Sequence, residues 1–154
     1  MKFSLIKALS FIFFISSNIT YADTLKISSK QLEVVRKEGL SVFTGEVYAE
    51  DKTIKIWSEK LSVLYDDKIE KVREIIAEEN VKIIRDDLEA YGDYSSYRPK
   101  INELLLSGNI TVIQNNNKIN CDQLTVDLEN STSIMTSSIG GRVRVKIEKE
   151  NDEN

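Results

Sequence analysis

Phe43-Thr44-Gly45-Glu46-Val47 returns 63 positions later as Leu106-Ser107-Gly108-Asn109-Ile110, and the residues that follow each copy repeat as well. The same shift lays Ile54-Lys55-Ile56-Trp57-Ser58-Glu59-Lys60-Leu61-Ser62-Val63 on Asn117-Lys118-Ile119-Asn120-Cys121-Asp122-Gln123-Leu124-Thr125-Val126 without a gap. A fainter copy lies between them: a shift of 29 places Asn80-Val81-Lys82-Ile83 on Asn109-Ile110-Thr111-Val112 and Asp93 on Asp122. Repetition at this scale implies stacked β units that share one continuous core.

Period-two alternation supports that reading from Leu25 onward. Leu32/Val34, Leu61/Val63/Tyr65, Ile75/Ala77, Leu88/Ala90 and Leu104/Leu106 each put apolar side chains on one face, while Lys55, Lys82, Asn120 and Thr125 point the other way. Such segments predict half-buried antiparallel strands. Turn signals separate them at Lys37-Glu38-Gly39, Ala49-Glu50-Asp51-Lys52, Asp66-Asp67-Lys68, Glu78-Glu79-Asn80, Arg85-Asp86-Asp87, Asn115-Asn116-Asn117 and Glu129-Asn130-Ser131. Residues 68–79 carry Ile69, Val72, Ile76 and Glu79 at helical spacing, but Val72, Ile75 and Ile76 are β-branched and favour a strand. The single proline, Pro99, follows Ser95-Ser96-Tyr97-Arg98 and predicts the longest non-periodic connection.

The start reads as an export signal. Lys2 and Lys7 precede an apolar run over residues 8–15, and Thr20-Tyr21-Ala22 ends in a small residue suited to cleavage. The run is shorter than the ~20 residues a membrane-spanning helix needs. Residues 1–22 are therefore expected to be a cleaved signal peptide, residues 23–147 one domain, and residues 148–154 a charged, disordered tail. Without Lys2 and Lys7 the chain carries 19 basic against 25 acidic side chains, which argues against nucleic acid. With no histidine, the commonest general base and transition-metal ligand are missing. The carboxylates fall at turns or on outward strand positions, so neither an enzyme nor a calcium site is expected. Cys121 is the single cysteine and stands in an alternating segment, as a small buried strand residue would. Apolar strand faces remain, either as a filled core or as a trough for hydrocarbon; periodicity alone does not separate the two.

Taken in order, the repeated segments, the opening Leu25-Lys26-Ile27-Ser28-Ser29-Lys30-Gln31-Leu32-Glu33-Val34 and the closing Gly140-Gly141-Arg142-Val143 resemble the OstA-like domain family of periplasmic lipopolysaccharide-transport proteins. The middle copy departs from the pattern, with Glu79 where a glycine is expected. The resemblance implies an all-β fold, an open antiparallel β-jellyroll, located in the periplasm and holding the lipid A acyl chains of lipopolysaccharide. It implies three kinds of protein partner: an inner-membrane Lpt partner of related fold, the amino-terminal domain of the outer-membrane Lpt translocon, and further copies stacked end to end. No cofactor is implied.

On this reading Phe43, Val47, Ile54, Ile56, Leu61, Val63, Val81, Ile83, Leu106, Ile110, Val112, Ile119, Leu124 and Val126 line the trough. Residues 25–29 and 142–147, through Leu25, Ile27, Val143, Val145 and Ile147, form docking edges that accept a neighbouring strand. Two alternatives stay open: an inner-membrane-anchored partner of the same fold that retains residues 1–22, and a protein-binding β module with a dry interior.

Overall fold

The computed structural model describes residues 24–66, 71–138 and 140–148. The segments read as a signal peptide and as a charged tail lie almost wholly outside them. The described residues form one antiparallel sheet of ten strands: β1 (Lys26–Ser28), β2 (Gln31–Val35), β3 (Leu40–Glu50), β4 (Lys55–Asp66), β5 (Lys71–Arg85), β6 (Leu88–Arg98), β7 (Glu103–Gln114), β8 (Asn117–Asp127), β9 (Thr132–Thr136) and β10 (Arg144–Lys146). Strands β3 to β8 pair in chain order. Residues 71–79 are strand throughout, as β-branching at Val72, Ile75 and Ile76 favours.

Every pair among the long strands loses register at the same level: between Thr44 and Val47, Trp57 and Lys60, Glu78 and Val81, Tyr91 and Tyr94, and Ser107 and Ile110. These bulges align into a crease that folds the sheet on itself. On β3, β5 and β7 the crease is a pair of residues with positive φ: Gly45-Glu46 at 83° and 47°, Glu79-Asn80 at 65° and 54°, and Gly108-Asn109 at 80° and 49°. Glu78-Glu79-Asn80 is thus not the strand-separating turn expected from its polarity. It bends one continuous strand, and Glu79 takes the backbone conformation that glycine takes in the other copies.

A second correction concerns Ser95-Ser96-Tyr97-Arg98, which ends β6 instead of opening a long connection. Ser95 faces inward between Ala77 and Leu106, where its small side chain is buried. The connection is a short 3-10 turn at Pro99–Ile101 ended by Asn102 at φ 49°. At the opposite tips, Asn115 and Asn116 take φ 48° and 62°, the combination a two-residue hairpin requires. The Asp51 carboxylate closes another tip by accepting the amides of Thr53 and Ile54 at 2.7 and 2.9 Å.

The crease divides the sheet into two halves, one ending in β1 and β10, the other in β2 and β9. Both β1 and β2 pair with β3, and both β9 and β10 pair with β8. The first half presents the inner row Ile27–Ala49–Ile56–Ile83–Ala90–Val112–Ile119–Val145. The second presents Leu32–Phe43–Leu61–Ala77–Ser95–Leu106–Leu124–Met135. Both rows run from one edge of the sheet to the other, and the core lies between them.

Candidate functional site: an apolar trough with two open edges

All fourteen side chains expected to line the interior belong to the buried core or pack against it. Val47, Leu61, Val81 and Ile110, beside the crease, are at most 1% exposed. Toward the free tips the halves separate around a cavity of about 250 Å³. Ile54, Ile83, Leu106, Val112, Leu124 and Val126 line it, together with Leu88, Ala90, Leu104, Leu128 and Met135. Phe43, Ile56, Val63 and Ile119 lie in the core without lining this cavity. Ala90, Leu88 and Leu104 belong to the same alternation as the residues named from sequence. Strand pairing brings them into the site: Ala90 lies between Ile83 and Val112, Leu88 between Arg85 and Gln114, and Leu104 beside Val126.

The mouth of this cavity is polar. Hairpin residues Asp86 and Asp87 on one half face Asp127, Ser131 and Ser133 on the other, with Arg85 and Gln114 beside them. Gln114 Nε2 donates to both Asp87 oxygens at 3.2 and 3.3 Å. The Asn130 backbone amide, bonded to Asp127 Oδ1 at 2.9 Å, holds the Asp127 carboxyl below its usual value, so it stays ionised.

Among the described residues no buried side-chain nitrogen or oxygen lacks a hydrogen-bond partner, and no three His, Cys, Asp or Glu side chains are placed to hold a metal ion. Cys121 is buried and its thiol pKa is raised, first by desolvation and then by Asp122. No helix among the described residues is long and apolar enough to cross a membrane.

Both ends of the sheet are open. Leu25 and Ile27 pack against the core, and β1 pairs with β3 through three residues. Val145, on the inner side of β10, is 57% exposed; Ile147, just past the strand, is 69% exposed, and Val143 lies just before it. Sequence reading overlooked the longer edges: β2 and β9 are five residues each, and they leave Leu32, Val34 and Ile134 more than half exposed. Their signal was the same alternation, Leu32/Val34, but only the split of both chain ends across the crease makes them edges.

An open antiparallel sheet folded along a line of bulges, apolar within and unpaired at both ends, defines the β-jellyroll class of lipopolysaccharide-transport proteins. The profile of the family described as "LptA/(LptD N-terminal domain) LPS transport protein" matches residues 26–132. The chain belongs to that family, and its involvement is in lipopolysaccharide transport. The fold is also that of LptH from Pseudomonas aeruginosa, described as the LptA homologous periplasmic component of the conserved lipopolysaccharide transport device: the TM-score is 0.73 at 16% identity, over 82% of this chain and 96% of that one. No curated protein matches the chain.

Proposed function

We propose that the protein is a periplasmic carrier, exported by a cleaved signal at residues 1–22, that holds lipopolysaccharide acyl chains between the two half-sheets and passes the lipid from the inner toward the outer membrane. The observation that carries this reading is the pair of facing apolar rows, which run to both open edges and part around a cavity at the free tips. A trough of this form lets a lipid slide between near-equivalent sites without a strongly preferred stop. Direction then comes from outside the protein. Docking at β1 with β2 and at β9 with β10 by strand addition, on an inner-membrane partner of related fold, on the amino-terminal domain of the outer-membrane translocon or on another copy, extends the trough.

Each methylene of an acyl chain buried between the half-sheets contributes about 0.8 kcal/mol.

The test is photocrosslinking in Gram-negative cells with the probe at Val112, which lines the cavity, and at Ile113, which faces outward on the same strand. Lipopolysaccharide adducts at Val112 alone are expected. A folded, exported protein with adducts at neither position has a dry interior and serves as a protein-binding module instead.

A further inference from the structure

The two ends of the sheet differ in charge. On β10 the outward side chains are Arg144, opposite Asn120, and Lys146, opposite Lys118, with Arg142 two residues before. All are exposed; Asp122 on β8 acts on Arg144 across space, but among the described residues no carboxylate lies within ion-pair distance of Arg142 or Arg144. Glu148 reaches Lys146 at 3.7 Å. Lys118 and Lys146 face each other as like charges, so the stripe is basic in a chain whose formal net charge is −4. At the other end, Lys26 pairs with Glu50 at 3.9 Å and Lys30 with Glu46 at 2.6 Å. The strand that shares the basic edge, β9, carries no charged residue.

Continuing the sheet into a second copy brings β10 beside the next β1 in antiparallel sense, because β10 and β1 alternate correctly across the eight-strand path. Setting Val145 opposite Ile27 continues the inner row, since both belong to it. In that register the outer rows clash: Lys146 falls opposite Lys26, Arg144 opposite uncharged Ser28, and beyond the strand ends Arg142 falls opposite Lys30. Like charges directly opposite destabilise a strand pair.

We infer that β10 selects a protein partner whose docking strand carries acidic side chains at the outward positions, in preference to a second copy of this chain. This rests on the edge-docking part of the proposed function and is independent of what fills the trough. Apolar continuity at Val145 supplies contact with any partner of this fold; the basic stripe decides which one stays.

The experiment uses the exported chain itself. An immobilised copy carrying Lys26→Gln and Ser28→Glu serves as a probe with an acidic edge, and an unaltered copy serves as the comparison. The wild-type chain in solution is expected to bind the probe roughly tenfold tighter at low salt, from two altered cross-strand pairs. The preference should collapse at about 0.5 M salt, where the Debye length is a few ångströms, and vanish when the soluble chain carries Arg142→Glu and Arg144→Glu, which leaves one like-charge and one opposite-charge pair on either surface. Ser28→Glu alone provides a second probe should the double variant fold poorly. Equal binding to both surfaces, including binding to neither, overturns the inference. Lipid adducts at Val112 in the same variants keep the carrier reading separate: their persistence beside equal binding removes only the charge selection.

Discussion

At the scale of single residues, the crease concentrates unusual backbone. Gly108 sits at φ 80°, and a Cβ there would lie 2.5 Å from Asp93 Oδ2, the same oxygen that accepts Asn109 Nδ2 at 2.7 Å. Gly108→Ala therefore combines a positive-φ penalty with a clash, and we expect a loss of about 2 kcal/mol, read by denaturant unfolding. Glu79 occupies the equivalent position of the middle copy at φ 65°. Replacing it by glycine relieves an unfavourable backbone and costs some chain entropy, with a net gain of about 0.5 kcal/mol expected in the same assay. The acids that repeat with the glycines also have work at the crease. Asp93 ties down Asn109, and Asp122 accepts the Ser138 amide at 2.7 Å and its hydroxyl at 3.0 Å.

At the scale of elements, that last contact fastens the segment leading from β9 to β10. The Ser138 amide and hydroxyl hold the Asp122 carboxyl below its ordinary value. A carboxyl depressed in the folded state contributes stability that is complete above the ordinary aspartate range and is lost as pH falls through the folded value. Amide hydrogen exchange over residues 140–146 should accordingly rise at acid pH before exchange in β4 to β7, and Asp122→Asn should remove this early step. Strand position predicts a second contrast. Val143 precedes β10 and lies outside the ladder, whereas Val81 pairs with Gly92 in the middle of the sheet at 1% exposure. Val143→Pro should change stability by less than about 0.5 kcal/mol, while Val81→Pro should lose about 3 kcal/mol or more, compared by thermal melting.

For the whole molecule, one interior holds both fully buried side chains such as Leu61 and a cavity of about 250 Å³ toward the free tips, so stability and capacity can be altered at different residues. Ala90 is buried at the cavity, opposite Ile83 and Val112. Ala90→Leu extends into that space; we expect a folded protein with an unchanged or slightly higher melting temperature and at least a severalfold drop in lipopolysaccharide adducts at Val112. Leu61→Ala, at a residue with no exposed surface, should instead destabilise by about 2–5 kcal/mol. A carrier whose interior were uniform would show no such division between the two variants.

The sequence alone determined the repeat and the all-β class, because period-two alternation and the repeated glycines are local properties written directly in residues such as Phe43 to Val47 and their copy at residues 106–110; the open jellyroll form followed from the family resemblance. It also placed Ile83, Val112, Leu124 and Val126 on the inner face, since facing follows from alternation. Three things were decided by tertiary structure. Glu78-Glu79-Asn80 reads as a turn until neighbouring strands force it to continue as a bulge aligned with those at Gly45 and Gly108. The cavity recruits Ala90 and Leu104 because pairing between strands sets Ala90 beside Ile83 and Val112, and Leu104 beside Val126. The edges include β2 and β9 because a crease splits each end of the chain between two half-sheets, a geometric relation between residues far apart in sequence that no local pattern encodes.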